Sequence, residues 1–133
     1  MTTAEQVEMM GARQRAHTLR ATRARIGWTQ QDAAERFGVN RRTIARWETP
    51  DGKSWVPDEV LTAILDRLDA LRTAAEEFAR SEQVRAMIFE SRRVILTLPD
   101  SRDLSGVAYR EAMAQRVMMA DYIESRGGAV RWF

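Results

Sequence analysis

Apolar positions in residues 29–47 fall into two short helical stripes on either side of a glycine. Ala33, Ala34 and Phe37 lie at i, i+1 and i+4, and Ile44 and Trp47 at i and i+3, each set covering one face of a helix. Thr29 suits the N-cap of the first helix, and Asp32 at its third position makes an acidic version of a capping box. The two small alanines allow a second helix to approach closely. Gly38 fits the left-handed residue needed to stop this helix, Val39 plugs the turn into the core, and Asn40 suits the N-cap of the second helix. Arg41, Arg42, Thr43, Ala45 and Arg46 are left on the outer side of that second helix.

The same periodicity organises the flanks. Residues 3–26 read as helical, with Gly11 leaving open one long helix or two. Thr2 with Glu5, or Thr3 with Gln6, offers an N-terminal capping box. Within this stretch Arg13 and Arg15 read as solvated helix residues rather than as contacts to a nucleic-acid backbone. Residues 49–57 form a loop, broken by Pro50, Gly52 and Pro57, in which Lys53 is free to approach phosphate and Trp55 is expected to cover the core. Pro57 suits the first position of a helix, and Asp58 and Glu59 complement its dipole. Val60, Leu61, Ile64, Leu65, Leu68, Leu71 and Phe78 continue that helix, which is expected to end between Arg80 and Glu90. Val94–Leu98 reads as a strand, 105–126 as a helix with Tyr109, Met113, Val117, Ala120 and Ile123 on one face, and 129–133 as a terminal strand after Gly127-Gly128. Lone strands leave backbone groups unpaired, so these two pair with each other or with copies from a second chain. The expected fold class is mainly α: an N-terminal helical bundle (residues 1–56), then a long helix and a strand-helix-strand region (57–133).

Composition narrows the function. The 133 residues contain no cysteine, which excludes disulfides, thiolate metal sites and thiol catalysis. The single His17 has no neighbouring ligands, so no metal is expected. No Gly-rich phosphate loop or catalytic constellation is present, no cofactor is implied, and an enzyme is not expected. No apolar run approaches the ~20 residues of a membrane span, and no signal-peptide core is seen, which points to the cytoplasm. Net charge is only +2, but it is uneven. Residues 1–56 carry ten basic and six acidic side chains, whereas residues 57–133 carry eleven and thirteen. The positive half is the one containing the paired short helices, as expected of a DNA reader.

Arg41 and Arg42 open the second helix of that pair, where guanidinium groups can bond the O6 and N7 of guanine in the major groove. Leu19, Arg23, Gly27, Thr29-Gln30, Ala34, Gly38-Val39, Thr43-Ile44 and Trp47-Glu48 together resemble the Cro/C1-type (XRE-like) helix-turn-helix of phage repressors and bacterial regulators, over about a quarter of the chain. The resemblance implies that Gln30 contacts phosphate and braces the recognition helix 41–48. It places Asn40, Arg41, Arg42 and Thr43 where bases or adjacent phosphates are read, and Arg46 where phosphate contact is favoured. It implies a buried ion pair between Arg23 and Glu48. This chain departs from the family after Glu48: the usual early glycine is absent and the loop is longer.

The layout of the whole chain, with Val56-Pro57-Asp58-Glu59-Val60 opening the long helix, is similar to that of anti-CRISPR-associated autorepressors. That resemblance implies a homodimer, joined through the C-terminal segment, that binds an inverted-repeat operator. Val94, Leu96, Tyr109, Met113, Val117, Trp132 and Phe133 are the expected dimer contacts. The leading expectation is a sequence-specific repressor of its own operon acting on double-stranded DNA. The alternative is an antitoxin-like protein that binds a partner protein through its C-terminal half. Arginine clusters also suit folded RNA as a second ligand.

Overall fold

The computed structural model describes residues 1–133, and the chain divides into two compact units, Met1–Asp69 and Ala70–Phe133. The first contains α1 (Thr3–Glu8), α2 (Ala12–Arg25), α3 (Gln30–Phe37), α4 (Arg41–Trp47) and the beginning of α5 (Asp58–Ala79). The second contains the end of α5, α6 (Glu82–Phe89), β1 (Arg93–Leu96), α7 (Gly106–Ser125) and β2 (Ala129–Trp132). The expected boundary at 56/57 therefore moves into α5. Val56, Leu61 and Ile64 are fully buried, and Asp58 binds a buried arginine of α2, so the start of α5 completes the first unit.

Gly11 separates α1 from α2, settling the open choice in favour of two helices. Thr2 caps α1 by accepting a bond from the Glu5 amide at 3.2 Å. A six-residue helix is too short to persist alone. What holds α1 is Val7, which is fully buried, and the capture of its C-terminal carbonyls by Arg15. The core of this unit is completed by Leu19 from α2, Ile26 at its C-cap, Ala33 and Ala34 from α3, and Ile44 from α4, all buried.

In the second unit α5 stops at Ala79, slightly before the expected limit, and Ser81 caps a separate helix, α6, through the Val84 amide. The two strands pair with each other, in parallel, with Val94 opposite Val130 and Leu96 opposite Trp132. Parallel neighbours need a crossover, which α7 supplies. Gly127-Gly128 ends α7 as expected. Gly127 takes φ +85°, and a Cβ on Gly128 would lie 2.6 Å from Ile123 Cγ2, so one glycine supplies the left-handed turn and the other the space.

The register of α7 differs from the expected stripe. Ala114, Met118, Met119, Ala120 and Ile123 are buried, while Val117 is 50 % exposed and Tyr109 and Met113 are half-buried. Val94 and Leu96 also depart from expectation. Both are 2 % exposed within the single chain, because alternate strand positions face inward, so they have no surface to give a partner. The outward position of β1 is Ile95, and Trp132, paired with Leu96, and Phe133, just beyond it, are also exposed.

Candidate nucleic-acid interface

The turn between α3 and α4 forms from local chemistry alone. Thr29 Oγ1 accepts from the Asp32 amide at 3.0 Å, and the Asp32 carboxylate accepts from the Thr29 amide at 2.8 Å, completing the capping box. Gly38 ends α3 at φ +68°, ψ 31°, and its N–H bonds Ala34 O. Nothing lies within 4 Å of a Cβ placed on Gly38, so the requirement for glycine is conformational, not steric. Gly38→Ala is expected to lower stability by about 1–2 kcal/mol, from left-handed backbone strain alone, as read by thermal unfolding.

Asn40 caps α4: its Oδ1 accepts from the Thr43 amide at 2.9 Å and from the Thr43 hydroxyl at 3.1 Å. Ile44 anchors the inner side of the helix at 0 % exposure, and Trp47 is half-buried. Arg41, Arg42 and Arg46 are exposed and have no partner in the chain. The face thus offers three free guanidinium groups. Because the Asn40 oxygen is occupied, its amide NH₂ remains as an outward donor, suited to a phosphate or a base acceptor. The Thr43 hydroxyl donates to Asn40 and keeps its acceptor lone pairs for a ligand.

Behind this face, Arg23 and Glu48 form a two-bonded ion pair, Nε to Oε2 at 2.5 Å and Nη2 to Oε1 at 2.9 Å. Their side chains are 15 % and 4 % exposed. Arg23 Nη1 also donates to Trp28 O at 2.9 Å, and Gln30 Nε2 donates to Glu48 Oε1 at 3.3 Å. One carboxylate at the end of α4 therefore ties together α2, the turn before α3, and the first residue of α3. Trp28 packs edge-on against Phe37, with ring centres 6.1 Å apart. The structure thus brings Gln30, Asn40, Arg41, Arg42, Thr43 and Arg46 onto the α3–α4 pair, with Arg23 and Glu48 bracing it.

Sequence reasoning missed Arg15. It is 1 % exposed, neither solvated nor available to a nucleic-acid backbone. Its guanidinium donates to Val7 O at 2.8 Å, Met10 O at 3.0 Å, Val56 O at 2.9 Å and Asp58 Oδ1 at 2.6 Å. The signal was present, since the buried positions Ile26, just after α2, and Thr22 and Leu19 within it extend backward by a helical step onto Arg15 and Ala16. Trp55 also corrects an expectation. It is 56 % exposed, with the Arg15 guanidinium 4.0 Å from its ring centre, so it covers one buried cation rather than the apolar core.

Two helices joined by a glycine turn, the second presenting unpaired arginines, form a helix-turn-helix. Residues 15–78 match a family described as a helix-turn-helix domain, which supports placing the chain among helix-turn-helix DNA-binding regulators. No curated protein and no solved structure matches the chain. No helix is long and apolar enough to cross a membrane.

Proposed function

We propose that the protein is a homodimeric transcriptional repressor of Cro/C1 type that regulates its own operon from an inverted-repeat operator. It acts by binding, without catalysis, in the cytoplasm. The observation that carries the reading is the unpaired cluster of Arg41, Arg42 and Arg46 on a helix whose start and inner face are fixed by Asn40 and Ile44. Arg41 and Arg42, in the first turn, are assigned to base edges, and Gln30 and Arg46 to phosphate. One such helix reads only a few base pairs. Two copies about a two-fold axis would read half-sites ~34 Å apart or a multiple of that. Ile95, Val117, Trp132 and Phe133, at 41–70 % exposure, supply apolar surface in the second unit for the contact between copies. The similarity of layout to anti-CRISPR-associated autorepressors supports autoregulation.

The test is fluorescence-anisotropy binding to the DNA upstream of the protein's own gene, at two salt concentrations. Wild type is expected to bind tightly and salt-sensitively. Arg41→Ala/Arg42→Ala is expected to lose about 2–6 kcal/mol at the specific site, taking each base-reading arginine at about 1–3 kcal/mol, and to relax specificity. Equal binding of random DNA by wild type and variant would reject the assignment.

A further inference from the structure

The second unit carries an open groove of about 1030 Å³ whose lining includes Arg80, Arg85 and Arg126 around Tyr122. The Arg126 and Arg80 guanidinium groups lie 4.9 and 5.7 Å from the centre of the Tyr122 ring. Ala79, Ala86 and Ile88 add apolar lining, and Phe89, at 90 % exposure, stands on it as the most exposed large apolar side chain of the chain.

Two features point to a ligand. Phe89 closes no core, and aromatic and arginine side chains gathered in one concave place are the composition of protein-binding hot spots. The charges are also unbalanced. Of the two carboxylates in the groove, Glu90 is held by Arg92 at 2.7 Å, and Glu82 sits in the first turn of α6, where the helix dipole favours it. Arg80 is paired with Glu76 at 2.8 Å, but Arg85 and Arg126 have no carboxylate partner. Both are thus available for paired hydrogen bonds to carboxylates, the geometry a guanidinium fork favours.

We propose that this groove docks an acidic segment of a different protein, with carboxylates on Arg85 and Arg126 and an apolar anchor against Phe89 and Tyr122. The groove is open to solvent and not an enclosed cavity, which suits a segment of chain better than a small molecule. A second copy of the chain is the competing occupant. The first unit, which bears the DNA-reading arginines, has no part in the groove.

The probe is a short fluorescein-labelled peptide of glutamates around one phenylalanine, titrated with the full chain at low salt. Saturable binding is expected, weakened about ten-fold by Arg85→Ala/Arg126→Ala and weakened also by Phe89→Ala, with no binding of the lysine counterpart. These side chains are exposed, so the variants should keep the wild-type circular dichroism and DNA affinity. Binding that survives Arg85→Ala/Arg126→Ala, or that is lost only in Arg41→Ala/Arg42→Ala, would overturn the proposal by placing the peptide elsewhere. Absence of saturable binding would also overturn it. So would self-association in sedimentation that is abolished by Phe89→Ala, because a second copy would then fill the groove.

Discussion

Arg15→Ala is expected to cost about 3–5 kcal/mol of stability and to release α1 from the first unit. The substitution removes the only donor found for the Met10 and Val56 carbonyls and one of two for Val7 O. A buried carbonyl left without a partner loses about 1–3 kcal/mol, and the lost carbonyl bonds together outweigh the loss of one ion pair whose carboxylate is half-exposed. The Asp58 side chain is 53 % exposed and rehydrates when its partner is gone, so Asp58→Asn should cost under about 1 kcal/mol. Arg15→Lys should recover only part of the loss, since one ammonium cannot reproduce the planar fork that reaches three carbonyls. Hydrogen exchange supplies the local measurement: the amides of Thr3–Glu8 should lose protection in Arg15→Ala and keep it in Asp58→Asn. Equal costs for Arg15→Ala and Asp58→Asn would mean that the ion pair, not the carbonyl bonds, holds α1 in place.

Arg15 also marks where the sequence ceases to be readable. Caps and turns are local: Thr29 with Asp32, Gly38, and Asn40 act within four residues, and each appears in the structure as its residue type implies. The strands were readable as elements, but their parallel pairing depends on the path of α7, which no local pattern encodes. Arg15 meets partners as far as 43 residues away. Among the chain's many arginines, nothing in its type separates a cation solvated on a helix from one saturated by carbonyls. Only its position on the inward face of α2 does so. Phe89 carries no local signal either: an apolar side chain, it points to solvent at the end of α6. Val94 and Leu96 fit apolar strand positions, but whether such positions face the chain's own core or a partner depends on the packing of elements distant in sequence. The geometry of the α3–α4 face was legible because it rests on short-range rules, and the groove was not because it joins residues from α5, α6 and α7.

The ion pair behind the recognition helix permits stability and recognition to be separated. Glu48→Ala is expected to destabilise the first unit by about 3–5 kcal/mol, because it leaves the Arg23 guanidinium buried with only Trp28 O as a strong acceptor. Replacing both partners, as Arg23→Met/Glu48→Leu, removes the charges together and should restore stability to within about 1–2 kcal/mol of wild type. A double-mutant cycle in chemical denaturation measures the difference. DNA binding should not recover in parallel. Gln30 Nε2 donates to Glu48 Oε1, so the apolar pair leaves the first residue of α3 without the bond that orients it. If Gln30 contacts phosphate as proposed, the double variant should be folded yet weaker by about 1 kcal/mol on specific and random DNA alike, because a phosphate contact positions the protein without reading sequence. Gln30→Ala in the wild-type background should give the same loss with stability nearly unchanged. Full DNA affinity in the apolar double variant would show that the Arg23–Glu48 pair serves the fold alone and that Gln30 needs no brace.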